Sequence, residues 1–106
     1  MHSRFTRAIR AVRHWCRLNR HHPVPEQCKA LGQKLRGHYG YYGITGNFEA
    51  LARFMREVEK AWHKWLSRRS QRSYIPWPEF ARVLKRHPLP RPRIVHSQLA
   101  ARPANP

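Results

Sequence analysis

Acidic residues are scarce in this sequence, and aspartate is absent altogether. The 106 residues include five glutamates against 22 lysines and arginines, 17 of them arginine, and the formal net charge is +17. The glutamates are scattered, at positions 26, 49, 57, 59 and 79. Metal-assisted phosphoryl transfer needs clustered carboxylates to hold divalent cations. The sequence therefore excludes a polymerase or nuclease centre within this chain.

Long apolar runs are missing too, and cysteines are few. The sequence has no stretch of about 18 apolar residues, as a membrane-spanning helix would need, and its start, MHSRFTR, lacks the apolar core of a signal peptide. Two cysteines are too few for a disulfide framework and fit a reducing compartment. We therefore expect a cytoplasmic protein with no membrane partner and no small-molecule substrate.

The basic excess predicts a polyanionic partner. A charge of +17 on a small domain repels itself, and a large negative partner would neutralise it. Arginine grips phosphate through two parallel hydrogen bonds and stacks on bases, whereas lysine acts mainly as a point charge. Four Trp, four Tyr and four Phe are too many for a disordered basic tail. RNA bound to a folded domain is the favoured interpretation.

Apolar residues at three- and four-residue steps predict helices in the first half of the chain. The first covers about residues 3–20, with Ser3 as its N-cap. The second covers about 26–38, with Pro25 in its first turn. The segment 37–46 holds four of the five glycines and three tyrosines, so we expect the chain to turn there.

The second half predicts a long helix, a short helix and a tail. Asn47 is the expected N-cap of the third helix, whose apolar seam is Phe48, Leu51, Met55, Val58, Trp62 and Trp65. A fourth helix starts at 76–78, and Pro88 stops it. We therefore predict an all-α domain over residues 1–87, a small bundle of three to four helices. We expect residues 88–106 to form an extended Pro-rich tail, with the last ten residues disordered.

Cations follow the polar faces of the first and third predicted helices. On the first, the arginines at 4, 7, 10, 13, 17 and 20 lie three or four positions apart, and no acid precedes Glu26. On the third, the cations are Arg53, Arg56, Lys60, Lys64 and Arg68, with Glu57 placed to pair with Arg53 or Lys60. A solvated face normally mixes both signs of charge, so we interpret these stripes as phosphate-binding surfaces.

A zinc site is the alternative use of the cysteines. Cys16, His21, His22 and Cys28 supply the sulfur and nitrogen ligands that zinc accepts. The cysteines, however, lie in separate predicted helices instead of two to four residues apart, and both fit apolar stripes. No glycine-bounded nucleophile turn surrounds either of them. We therefore favour free thiols, with no metal, no cofactor and no catalytic residue.

Four segments form a distinctive pattern along the chain. They are RHHPVPEQ at 20–27, KLRGHYGYYGITGN at 34–47, WHKWLSRRSQR at 62–72 and PLPRPRIVHS at 88–97. This pattern resembles the C-terminal maturase region of bacterial group II intron reverse transcriptases. The resemblance covers almost the whole chain, from about residue 3 to residue 97.

The resemblance implies RNA binding without polymerase activity. Members of that family join fingers, palm and a helical thumb to a maturase segment, which holds structured intron RNA so that the ribozyme folds and splices. This chain resembles the thumb end and maturase segment alone, since it lacks the palm's Tyr-Ala-Asp-Asp type metal motif and an HNH endonuclease domain. We therefore expect a bacterial RNA-splicing protein of a mobile genetic element. A separately encoded reverse transcriptase portion is a further candidate partner.

The residues expected to contact RNA combine both basic stripes with residues of the 34–47 segment. The tyrosines there either pack in the core or stack on unpaired bases. The candidate RNA-binding residues are Arg7, Arg10, Arg13, Arg17, Lys34, Arg36, Tyr39, Tyr42, Arg53, Arg56, Lys60, Lys64, Arg68, Arg69 and Arg72.

Two alternatives to an RNA-binding maturase fragment remain. The first is a general DNA-binding helical module, because the same charges attract any duplex and the third helix would fit a major groove. The second is a non-functional remnant, or a subunit of a split reverse transcriptase. Competition binding between intron RNA and random duplex DNA distinguishes the maturase fragment from a general DNA-binding module. A polymerase half encoded immediately upstream would favour the subunit of a split reverse transcriptase.

Overall fold

Within the ranges 4–42 and 48–92, which the computed structural model describes, the chain forms four α-helices and no β-strand. The helices are α1 (Arg4–Leu18), α2 (Val24–Tyr42), α3 (Phe48–Leu66) and α4 (Trp77–Arg86). The predicted all-α fold is confirmed. In these ranges no helix is both long and apolar enough to cross a membrane. The predicted caps Ser3 and Asn47, the predicted turn residues 43–46 and the tail beyond residue 92 lie outside the described residues.

The first three helices run up, down and up, so α1 and α3 are parallel. Contacts between α1 and α3 advance in the same order along both helices. Near their starts, the Phe5 and Phe54 rings meet edge-on with centroids 5.8 Å apart. Near their ends, the Arg20 side chain, just past α1, bonds to the Arg68 carbonyl, just past α3. The parallel arrangement thus places equivalent turns of the two basic helices side by side.

The three long helices share one apolar core, which α4 and the tail complete. The predicted seam of α3 is confirmed at Leu51, Val58 and Trp62, which are buried. Phe48 is half exposed instead, and Met55 and Trp65 are only partly buried, because Phe54, Ala61 and Leu66 occupy the buried positions of α3 beside them. The other buried apolar residues are Ile9, Val12, Cys16, Leu31, Leu35, Tyr39, Phe54, Ala61, Leu66, Phe80 and Leu89.

The second helix is longer than predicted. The sequence favours an end near His38 and a turn from Gly37, yet α2 continues through Gly37 and Gly40 to Tyr42. Glycine in a helix costs roughly 1 kcal/mol relative to alanine. Burial of one face of α2 offsets that cost, because its apolar residues recur every four positions. The residues buried on this face are Leu31, Leu35 and Tyr39.

A buried glutamine ties α2 to α3 and to the turn before α2. The Gln27 side chain is 1% exposed, and its Oε1 accepts a 3.0 Å hydrogen bond from the Trp62 indole. Its Nε2 donates to the carbonyls of Arg20, at 3.2 Å, and His22, at 2.7 Å. Both ends of the amide are therefore satisfied in the core, as a buried polar group requires.

Helix α4 packs on the end of α3 through aromatic rings. Phe80 is fully buried and meets the Trp62 ring edge-on at 5.7 Å. The buried His63 stacks on the Trp77 ring at 3.9 Å, and its Nε2 lies 2.6 Å from the Ile75 carbonyl oxygen. Since a carbonyl only accepts, Nε2 carries the proton and donates. These contacts fix the 67–76 loop against α3.

After α4 the chain lies along α2 as predicted for an extended segment, and we call residues 87–91 the C-terminal strap. Leu89 is buried, and the Tyr39 hydroxyl donates a 2.8 Å hydrogen bond to the Pro90 carbonyl. The Pro90 ring also passes close to Gly32, where the Cβ of any larger residue would lie 3.5 Å from the proline Cδ. The strap therefore covers the face of α2 that α1 and α3 leave open.

Candidate nucleic-acid interface

Cations from α1 and α3 form the walls of an open groove between these parallel helices, which we call the α1–α3 groove. Its volume is about 530 Å³. Glu57 is the one carboxylate among the groove residues that the structure describes. The lining consists of Arg10, Arg13, His14 and Arg17 from α1 and of Glu57, Lys60, Ala61, Lys64 and Trp65 from α3.

Glu57 links the two walls of the groove. Its carboxylate accepts from Arg13 Nη2 at 3.1 Å across the groove and from Lys60 Nζ at 3.3 Å one turn along α3. The predicted pairing with Lys60 is confirmed, whereas Arg53 lies over the Phe5 ring, 4.9 Å from its centroid. Such exposed pairs add little stability. One carboxylate among five arginines and lysines leaves the groove with a positive excess.

The groove continues into a second concavity at the end of α3, which we call the Trp65 pocket. Its volume is about 740 Å³, and it shares Lys64 and Trp65 with the α1–α3 groove. The loop after α3 supplies most of the polar groups around it. The lining residues are Arg20, His63, Lys64, Trp65, Ser67, Arg68, Ser70, Gln71 and Tyr74.

Three cations surround the Trp65 ring. Lys64 Nζ lies 5.1 Å from the ring centroid, Arg68 Cζ 5.7 Å and Arg20 Cζ 5.8 Å. Cations within about 6 Å of an indole are attracted by its negative faces. A partly exposed aromatic ring thus lies within a ring of positive charge.

The Arg20 guanidinium is held in place at the edge of this pocket. Its Nη1 donates to the Arg17 carbonyl at 2.6 Å, and its Nε donates to the Arg68 carbonyl at 3.2 Å. A guanidinium has five N–H donors, more than these two bonds use. Arg20 therefore presents a donor edge whose orientation is fixed before any anion binds.

No protein-family model matches this sequence. No curated protein and no solved structure shows significant similarity to it either. The resemblance to maturases stays a prediction. The binding properties of the α1–α3 groove are therefore inferred from the residues that line it.

The structure brings together part of the predicted RNA-binding set and leaves the rest elsewhere. Arg10, Arg13, Arg17, Lys60 and Lys64 line the α1–α3 groove, and Arg68 lines the Trp65 pocket. The predicted cations that line neither concavity are Arg7, Lys34, Arg36, Arg53, Arg56, Arg69 and Arg72, and Tyr39 lines neither as well.

The cations outside the groove have other neighbours. Lys34 Nζ lies over the Trp15 ring, 5.5 Å from its centroid, between α1 and α2. Arg56 lies on the far side of α3, where its charge and that of Arg91 act on Glu59. Burial raises the pKa of Glu59, and these two arginines partly oppose that rise. Part of the basic surface therefore lies between α1 and α3, and other exposed cations lie on the remaining faces of the protein.

Two further residues predicted to contact RNA, Tyr39 and Arg69, form hydrogen bonds within the protein instead. Tyr39 is a core residue, since its ring is buried and its hydroxyl bonds to Pro90, so its predicted role in RNA binding is corrected. Burial, with the Glu59 charge beside it, also raises the pKa of Tyr39. Arg69 donates to the carbonyls of Arg20, at 2.9 Å, and His22, at 3.3 Å, and thereby braces the α1–α2 turn. The Tyr42 side chain lies outside the described residues.

The cysteines are free thiols. Cys16 is fully buried, and burial raises its pKa to about 12, which keeps it protonated and unreactive. Cys28 donates weakly to the strap carbonyls of His87, at 3.3 Å, and Pro88, at 3.5 Å, and burial raises its pKa as well. Across the described ranges, no three His, Cys, Asp or Glu side chains are grouped as metal ligands would be.

Sequence reasoning missed the aromatic part of this surface. Trp65 reads as the last residue of an apolar seam, and Tyr74 lies in a loop with no periodicity. One signal was present for Trp65, because Arg68 follows it three residues later, a spacing that places two side chains next to each other on a helix. For Tyr74 the sequence carries no such signal, since only the path of the loop brings it to the pocket.

Proposed function

We propose that this chain binds structured RNA through the α1–α3 groove and has no catalytic activity of its own. The observation that carries the proposal is the parallel packing of α1 and α3, which lines one groove with Arg10, Arg13 and Arg17 on one side and Lys60 and Lys64 on the other. Cations on both sides of one open groove suit a phosphate backbone that runs along it.

Arginine on the α1 wall and the partly exposed Trp65 favour RNA over a regular duplex. Guanidinium groups bind phosphate through paired hydrogen bonds, and an aromatic ring stacks on bases that are not paired. Structured RNA presents both backbone and unpaired bases, whereas regular duplex DNA keeps its bases stacked inside the helix.

The finer proposal is that the RNA is a group II intron, which the chain holds in its folded form to assist splicing. It rests on the sequence resemblance at 34–47 and the other three segments. A protein that binds the folded RNA more tightly than the unfolded RNA shifts the equilibrium towards the folded form. On this proposal the chain acts in the bacterial cytoplasm, either alone or with a separately encoded reverse transcriptase portion.

Two variants with equal charge test the groove. The groove variant carries Arg10→Gln, Arg17→Gln, Lys60→Gln and Lys64→Gln, all at exposed positions, and keeps the Arg13–Glu57 pair. The control variant carries Lys29→Gln, Arg82→Gln, Lys85→Gln and Arg86→Gln, also exposed and outside both concavities. Each variant loses four positive charges, so any difference between them reports position and not net charge.

Binding is measured by fluorescence anisotropy with a labelled intron RNA domain between 50 and 200 mM salt. With six to ten phosphate contacts, wild-type affinity falls by about 10³–10⁵ over this range. We expect the groove variant to bind more weakly and to lose about 0.7–0.9 of the log–log salt slope for each phosphate contact removed. The control variant should keep most of the slope.

Two outcomes would count against the proposal. Equal losses in the two variants would show that binding follows net charge and not the groove. Equal affinity for the intron RNA and for random duplex DNA at fixed salt would instead favour a general DNA-binding module.

A further inference from the structure

We infer that the Trp65 pocket receives one unpaired nucleotide of the bound RNA. This inference rests on the proposed function and adds a specific contact to it. The pocket opens from the end of the α1–α3 groove and shares Lys64 and Trp65 with it. An RNA phosphate backbone that follows the α1–α3 groove therefore reaches the Trp65 pocket without leaving the cationic surface.

Two aromatic rings give the pocket a surface for a base. Trp65 forms part of its wall and is partly buried, and Tyr74 is 65% exposed on the loop after α3. Stacking on such rings accepts any base, because every base has a π-face. The exposed Gln71 amide on the same loop offers both a donor and an acceptor to the edge of a base.

The cations around Trp65 suit the phosphates on either side of that nucleotide. Arg20 is fixed by its bonds to the Arg17 and Arg68 carbonyls, so it loses little side-chain freedom when it binds an anion. Lys64 and Arg68 are exposed and can move from the ring to a phosphate when a base stacks there. The pocket thus combines a site for the base with a site for its backbone, as a nucleotide requires.

The volume and the charge also discriminate between occupants. About 740 Å³ is ample for one nucleotide, and no carboxylate is among the described residues that line the pocket. A fully paired helix keeps its bases stacked inside and leaves both aromatic rings unused. The inferred occupant is therefore a bulged or looped-out nucleotide.

The test compares two hairpin RNAs that differ only in one bulged nucleotide, at a fixed salt concentration. Wild-type protein should bind the bulged hairpin more tightly than the fully paired one, by on the order of tenfold for one stacked base. With 2-aminopurine as the bulged base, binding should also quench its fluorescence. Tyr74→Ala, at an exposed position, should reduce both the preference and the quenching.

Further variants separate stacking from folding. Trp65→Leu should abolish the preference, and Trp65→Phe should restore much of it because an aromatic face returns. Tyr41→Ala is the matched control, since Tyr41 is also 65% exposed but lies beside Arg4 at the opposite end of the bundle. Circular dichroism confirms that each variant keeps its helices.

The outcomes distinguish this inference from the proposed function. If both hairpins bind with a steep salt dependence but with equal affinity, the groove binds RNA and the nucleotide pocket is wrong. If Tyr41→Ala removes the preference and Tyr74→Ala does not, the base lies elsewhere and the pocket is again wrong. If neither hairpin binds, the proposed function fails and the pocket fails with it.

Discussion

At the scale of single residues, the buried side-chain amide of Gln27 joins α2 to α3 and to the α1–α2 turn. Gln27 accepts from the Trp62 indole and donates to two carbonyls of the α1–α2 turn, so a single side chain fixes three elements. Its burial could not be foreseen, because a glutamine beside charged residues normally indicates a solvated position. Trp62 was predictable, since it falls on the apolar seam of α3, although the seam says nothing of its indole partner.

Trp62→Ala should destabilise the domain severely. Trp62 is 0% exposed, and loss of a buried Trp side chain costs roughly 3–5 kcal/mol. The substitution also leaves the Gln27 oxygen without its donor, a further penalty of about 1–3 kcal/mol. Urea denaturation followed by circular dichroism should show a large fall in the midpoint or no cooperative transition. Trp77→Ala, at a half-exposed ring on α4, provides the comparison and should cost less. Equal, small effects of both would contradict the core role.

At the scale of elements, the sequence predicts a helix correctly where the local helix propensity and the tertiary packing agree, and it fails where they conflict. α1, α3 and α4 follow their apolar spacing closely, because in each of them local preference and burial agree. α2 departs from prediction, since Gly37 and Gly40 indicate a turn while Leu35 and Tyr39 pack against neighbours that no local pattern reveals. For the α1–α3 groove, the basic stripe on each helix was predictable from the sequence. The placement of the two stripes side by side was not, because it depends on the parallel packing of α1 and α3.

Tyr39→Phe tests the attachment of the strap to α2. Removal of the hydroxyl deletes the 2.8 Å bond to the Pro90 carbonyl and should cost about 1 kcal/mol. The strap should then open more often and expose Cys28, whose thiol bonds to the His87 carbonyl. A thiol reagent should therefore modify Cys28 faster in the variant than in wild type.

Cys16 serves as the internal control in this experiment. It is fully buried with a pKa of about 12, so it should stay unmodified in both proteins under native conditions. Unchanged labelling of Cys28 would mean that the strap does not depend on the Tyr39 hydroxyl. Equal acceleration at both cysteines would instead indicate global unfolding.

At the scale of the whole molecule, charge repulsion opposes the fold. The net charge is +17, and the described surface places cations on both walls of the α1–α3 groove with Glu57 between them. Burial of the shared core has to overcome this repulsion. The molecule should therefore be more stable wherever its charges are screened or neutralised.

The thermal unfolding midpoint should rise with salt. Between 10 and 100 mM sodium chloride the Debye length falls from about 30 Å to about 10 Å, which weakens repulsion between exposed cations. A gain of about 1 kcal/mol would raise the midpoint by roughly 4–8 °C in a domain of this size. Circular dichroism melts provide the measurement. The variant with Lys29, Arg82, Lys85 and Arg86 changed to Gln should respond less, and a flat or falling midpoint in wild type would rule out dominant repulsion.

The position of the strap also orders events during synthesis. His87 is made 59 residues after Cys28, and Pro90 is made 51 residues after Tyr39. At about 5–20 residues per second, these partners emerge from the ribosome roughly 3–12 s apart. During that interval the strap has not yet been made. The Cys28 thiol and the Tyr39 hydroxyl of the nascent chain therefore lack their strap partners. The face of α2 that carries Cys28 and Tyr39 is covered only after residues 87–91 have been made.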